Sequence, residues 1–204
     1  TVALNAQPAS DVVIDISESS SAVTLNTAQL TFTSVNWATP QNVSVTGTED
    51  ANLISEADQL LTFTINDAGS DNDFDALADQ TRNVDITDND TPGFTILAAG
   101  DLALTEGATN ATAYTVALNA QPATDVIIDI SESSSAVTLN TTTLTFTSVN
   151  WATPQNVSIT GTEDANLISE ADQLVTFTIN DAGSDNDFDA LADQTRNVDI
   201  TDND

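Results

Sequence analysis

Seven carboxylates in the second half of this chain stand where strand ends would bring them together: Glu106, then Glu163, Asp164, Glu170 and Asp172, then Asp202 and Asp204. Crowded carboxylates repel and raise one another's pKa, whereas Ca2+ takes about six to eight oxygen ligands and is favoured by such crowding. The chemistry on offer is hard-cation binding, and its alternative is a solvated acidic cap. Composition excludes most enzymology, leaving only a glycosidase-like pair of carboxylates, which needs nothing but Asp and Glu, as a catalytic alternative. The chain has 32 acidic residues against two arginines, no histidine, cysteine, methionine or lysine, and a formal net charge of -30. The usual proton shuttle, the common covalent nucleophiles and the nitrogen and sulfur ligands of zinc are therefore missing. Nucleic acid and anionic membrane surfaces, which are bound through clustered lysine and arginine, are excluded as partners.

The elements that must position these acids are read from an internal repeat. Residues 1–90 align without a gap on 115–204 and differ at six positions, all mild: Ser10/Thr124, Val13/Ile127, Ala28/Thr142, Gln29/Thr143, Val45/Ile159 and Leu61/Val175. So high an identity points to recent duplication. Residues 91–114, TPGFTILAAGDLALTEGATNATAY, have no counterpart in the first copy. One full repeat thus spans 91–204, while 1–90 is a repeat lacking its opening strand, and the chain is expected to be a window on a longer array.

Within the repeat the hydrophobic signal has period two, the mark of half-buried strands. Strands are expected at 94–104, 112–119, 125–131, 143–148, 155–161, 173–180 and 196–201, an all-β fold of tandem seven-stranded, Ig-like antiparallel sandwiches. The inward residues are Tyr114, Val116 and Leu118; Val126, Ile128 and Ile130; Leu144 and Phe146; Val157 and Ile159; Val175, Phe177 and Ile179; Val198 and Ile200. If the strands alternate in direction, the loop at 106, the loop at 162–172 and the chain after 201 share one pole. That parity gathers the acids.

Three stretches carry a family resemblance: LALTEG at 102–107, TGTEDANLISEADQLVTFTI at 160–179 and VDITDND at 198–204. They resemble the Calx-β domain of sodium/calcium exchangers, integrin β4 and many bacterial surface proteins, and the likeness covers the full repeat. The resemblance implies calcium ligands at Glu106, at Glu163 and Asp164, at Glu170, and at Asp202 and Asp204. In the first copy it implies Glu49, Asp50, Glu56, Asp88 and Asp90, with no equivalent of Glu106. The segment TLTFTSVNWATPQNVSITG at 143–161 is also similar to extender modules of large secreted bacterial adhesins.

Other motifs are weaker. Asp185, Asp187 and Asp189 alternate like the opening of an EF-hand, but counting from Asp185 the slots for glycine and for the bidentate glutamate hold Ala190 and Arg196, so the match fails. Phe188 is expected to anchor that loop. Trp151 is read as a hydrophobic plug, with carbohydrate stacking by Trp37 or Trp151 as the lesser alternative. The sequence is thus expected to encode a non-catalytic, calcium-binding spacer of an extracellular bacterial adhesin, matrix or filament protein, stiffened by Ca2+ at its domain ends. Its expected partners are neighbouring repeats and other copies in a fibre or matrix, without membrane insertion. A calcium-dependent glycan-binding module and a fibre subunit assembling by strand donation are the alternatives.

Overall fold

The computed structural model describes residues 1–97 and 100–204. They divide into two compact units, one made of Thr1–Asp50 and Ile54–Asp88, the other of Ala51–Leu53 and Asn89–Asp204. The only helical turns among the described residues are the short 3-10 segments Asp67–Gly69 and Asp181–Gly183, and no helix is long and apolar enough to cross a membrane. The chain is all-β.

In the first unit, strands β1 (Val12–Glu18), β3 (Gln29–Phe32), β5 (Glu56–Ile65) and β6 (Gln80–Ile86) form one antiparallel sheet in the order β3-β1-β5-β6. Two short strands, β2 (Val23–Leu25) and β4 (Val45–Gly47), form a second. Val12, Ile14, Ile16, Leu30 and Phe32 are its fully covered core. The alternation in VVIDISE accounts for β1, whose Val12, Ile14 and Ile16 point inward while the residues between them stay near solvent.

The second unit repeats this plan and adds to it. One sheet takes β12 (Thr143–Phe146), β10 (Val126–Glu132), β14 (Glu170–Ile179), β15 (Gln194–Thr201) and β8 (Leu102–Thr105), in that order. The other takes β11 (Val137–Leu139), β13 (Gln155–Gly161), β9 (Thr109–Leu118) and β7 (Phe94–Leu97). Side chains from both sheets meet in one core, the arrangement of a β-sandwich. Every residue expected to face inward in this repeat is buried, from Tyr114 to Ile200. Tyr114 and Phe177 meet edge to face, with ring centroids 5.9 Å apart, and the Tyr114 hydroxyl donates to the Asn197 carbonyl at 3.2 Å. Burial raises the Tyr114 hydroxyl pKa to about 12.

The strand count differs from the seven expected. The single strand anticipated at 94–104 is two strands in different sheets: β7 pairs antiparallel with β9, and β8 pairs parallel with β15. Ala98 and Ala99, which that expectation included, lie outside the described residues. Gly100, just before β8, has φ +70°, a backbone conformation that side chains disfavour. The three-residue β11 is too short for alternation to reveal.

Candidate metal centre

β8 delivers Glu106 to the end of the second unit. The Glu106 N–H donates to the Thr201 carbonyl and the Gly107 N–H to the Gly161 carbonyl, both at 3.0 Å, so this turn ties together the ends of β15 and β13. Gly107 has φ +69°, and a Cβ there would come within 2.6 Å of Glu163 Oε2. Glycine adopts this φ without strain and leaves room for the carboxylate to approach.

Glu106 itself is 3% exposed. Oxygens of Glu106, Asp164 and Glu170 lie within 4.8 Å of one another, and so do oxygens of Glu106, Asp202 and Asp204. Two carboxylate triads therefore share one buried glutamate. Both oxygens of Glu106, Oε2 of Glu170 and Oδ2 of Asp202 are buried without a hydrogen-bond partner among the described residues. Desolvation pushes the Glu106 carboxyl pKa up, and the charges of Asp164, Asp202, Glu163 and Glu170 push it further in the same direction. The arginine of this unit, Arg196, donates to the carbonyls of Thr195 and Ile96 rather than to these carboxylates, among the described residues.

The remaining polar atoms hold this cluster in shape. Asp164 Oδ1 accepts the Asn166 N–H at 2.8 Å, Ser169 Oγ accepts the Asp202 N–H at 3.0 Å, and Asp202 Oδ1 accepts the Asp204 N–H at 3.0 Å. Asn203 donates its side-chain N–H to the Glu106 carbonyl at 3.1 Å. The donor set is of the kind an oxygen-seeking dication takes: the converging groups are all carboxylates, and several of their oxygens are buried and unpaired.

Glu170 reaches the cluster through a device that period-two reading misses. Gln173 pairs with Val198 and Glu170 with Ile200, so three steps on β14 match two on β15, a β-bulge. Without the extra residue Glu170 would pair with exposed Thr201 and face solvent; with it, Glu170 lies on the face of buried Ile200. Asp172 sits in the bulge at φ +56° and its N–H donates to Asp199 Oδ1 at 2.8 Å. It is a backbone element rather than a member of either triad. Because a β-branched residue resists positive φ by about 1–2 kcal/mol, Asp172→Val is expected to lower Tm and weaken metal affinity together. Asp172→Gly should preserve both, as paired melting curves with and without Ca2+ will show.

In the first copy, Glu49 and Asp50 are exposed after β4, Glu56 opens β5 half-buried, and Asp88 follows β6 half-buried. Asp90 falls in the second unit by contact. The same bulge recurs, with Asp58 at φ +55°.

The acidic loop at 180–195 has a different role. Asp185 is buried and its Oδ2 accepts the N–H groups of Ala123 and Thr124 at 2.7 and 2.9 Å, while Oδ1 accepts that of Asp187 at 3.2 Å. It staples the loop, and Phe188 is fully buried beneath. In the first copy the same three bonds, from Ser10, Asp73 and Ala9, hold the Asp71 carboxyl pKa down. Trp151 packs against the core edge.

No family model and no characterised protein sequence matches the chain. The Calx-β likeness therefore rests on the quoted motifs. Among solved structures, the chain is similar to domains 4 and 5 of the S-layer protein SbsC, at 12% identity and a TM-score of 0.41 over 92% of this chain and 70% of that one. It is also similar to the D0-D1 domains of intimin, at 13% identity and a TM-score of 0.36 over 98% of this chain and 87% of that one. Values this low establish neither family nor function.

Proposed function

We propose that the complete repeat is a non-catalytic structural module of a bacterial surface protein, a Calx-β-like, Ig-like sandwich whose strand ends are locked by Ca2+. The observation that carries this reading is the buried, unpartnered Glu106 shared by two carboxylate triads. Glu106, Glu163, Asp164, Glu170, Asp202 and Asp204 are the proposed ligands, with Glu49, Asp50, Glu56, Asp88 and Asp90 as the corresponding residues of the first copy. Bound calcium would cross-link the turn after β8, the loop before β14 and the chain after β15. Those are the places where a pulled sandwich would begin to open. The module would act as a spacer between neighbouring repeats, in the extracellular space where Ca2+ is plentiful, as part of an adhesin, matrix or filament.

Single-molecule stretching of the chain between fixed handles tests this function. Ca2+ is expected to raise the force at which the second unit opens, and EDTA to lower it. Equal opening forces in both conditions would leave the module without the proposed mechanical role.

A further inference from the structure

Among the described residues of the second unit, one strand pair runs parallel. β8 lies beside β15 with Leu102 opposite Val198, Ala103 opposite Asp199, Leu104 opposite Ile200 and Thr105 opposite Thr201, whereas the other pairings of the unit are antiparallel. The ladder continues past the strands: the Glu106 N–H donates to the Thr201 carbonyl at 3.0 Å, and the Asn203 side chain donates to the Glu106 carbonyl at 3.1 Å. Peptide groups alternate between the two edges of a strand, so the Glu106 bond identifies Leu104, two residues earlier, as a residue of β8 whose N–H and carbonyl face β15. Leu102 and Leu104 also pack their side chains against the core.

β8 and β15 stand near opposite ends of the repeat in sequence. The repeat boundary lies inside the chain, because Asp204 corresponds to Asp90 and Thr91 opens the next repeat. Tension along consecutive repeats therefore enters a repeat ahead of β7 and leaves it after β15. Because β8 and β15 are parallel, their C-terminal ends lie side by side, and the point where tension enters β8, at Leu102, is at the other end of the ladder. Pulling then slides one strand along the other. The bonds of a parallel ladder are evenly spaced along the pair, so in this direction they share the load and must fail together, whereas two strands pulled apart from adjacent ends lose their bonds one at a time. β7, upstream, is held by β9, by Gln194 donating to the Phe94 carbonyl at 2.8 Å and by Arg196 donating to the Ile96 carbonyl at 3.2 Å. Both of those side chains belong to β15, so the last strand of the repeat grips its first two.

We propose that the grip of β15 on β8 and β7 is a shear clamp, and that this clamp, with or without metal, sets the force at which the repeat opens. The triad of Glu106, Asp202 and Asp204 sits at its C-terminal end, where a bound cation would tie the same two strands together. That tension reaches the clamp in the working protein rests on the proposed spacer role; its resistance to shear does not.

The chain has no cysteine, so introduced thiols can set the pulling direction. In EDTA the full chain is stretched from Asp101→Cys to a cysteine added after Asp204, which loads β8 against β15 in shear. It is then stretched from Ala108→Cys to the same C-terminal cysteine, which peels the adjacent ends of the two strands apart. Forced opening is governed by the unfolding barrier, and the second unit is expected to open at a force at least about twofold higher in shear than in peeling. Leu104→Pro, which removes an N–H from the ladder, should lower the shear force more than Leu104→Ala, which gives up the apolar contact but keeps the N–H. The comparison of the two directions holds even if the proline variant does not fold. A higher force in shear that Ca2+ does not raise further would support the clamp and count against the calcium reading. Equal forces in the two directions would overturn the inference, even if Ca2+ raised both.

Discussion

In EDTA, Glu106→Gln is expected to melt at a higher temperature than the unaltered chain, and in Ca2+ at a lower one. The reversal follows from the two states of the site. Without metal, Glu106 is a desolvated carboxylate facing four others, and its raised pKa reports how unfavourable its charge is there. An amide removes that charge and keeps the shape. With the proposed metal, the same charge would become the shared ligand of both triads, so its loss should remove the calcium response. A ligand at a hundredfold excess over its Kd stabilises the folded state by about 2.7 kcal/mol. For a unit of this size that corresponds to a Tm rise on the order of 10 °C.

The same experiment has a pH arm with a defined sign. A carboxyl whose folded pKa lies above its unfolded value of 4.5 contributes stability that is complete below that value and lost as pH rises through the folded pKa. In EDTA the chain should therefore gain Tm as pH falls from neutral toward 5, and Glu106→Gln should gain less. In Ca2+ the trend inverts, because protons compete with the metal for the carboxylates.

The second large effect is a difference between identical side chains. Phe177 and Phe63 occupy equivalent positions in the two copies, yet one is fully buried and the other half-buried. Phe177→Ala removes a closely packed ring and should cost about 3–5 kcal/mol, a fall in Tm on the order of 10–20 °C. Phe63→Ala removes a ring that is already half-exposed and should cost about 2 kcal/mol or less. Each unit has one tryptophan, Trp37 in the first and Trp151 in the second, so replacing either with phenylalanine lets fluorescence follow one unit at a time. Equal losses in the two units would contradict the difference in packing between the two rings.

Much of this was legible in the sequence because alternation reports burial directly. Val126, Ile128 and Ile130 had to face one way, and a separate regularity, the alternating direction of successive strands, put Glu106, Glu163, Asp164, Glu170, Asp202 and Asp204 near one end of the second unit. Three features were hidden for physical reasons. The change of sheet between β7 and β8 leaves the phase of the sequence unchanged, since Phe94, Ile96, Leu102 and Leu104 are all even-numbered, and two strands therefore read as one. The bulge at Asp172 makes the opposite change, shifting phase by one residue between Glu170 and Val175; that mismatch was the available signal. Asp185 resembled the start of a calcium loop, but its bonds to backbone N–H groups depend on Ala123 and Thr124, some sixty residues away.

The central claim, that the buried glutamate and its neighbours form a calcium site, is tested most directly by calorimetric titration of Ca2+ into the EDTA-stripped chain at physiological ionic strength, with Mg2+ in excess as competitor. The account predicts saturable binding that persists in Mg2+ and is strongly weakened in Glu106→Gln. A weak, unsaturating heat that Mg2+ reproduces and Glu106→Gln leaves unchanged would contradict it, and would make the acidic cluster a screened surface.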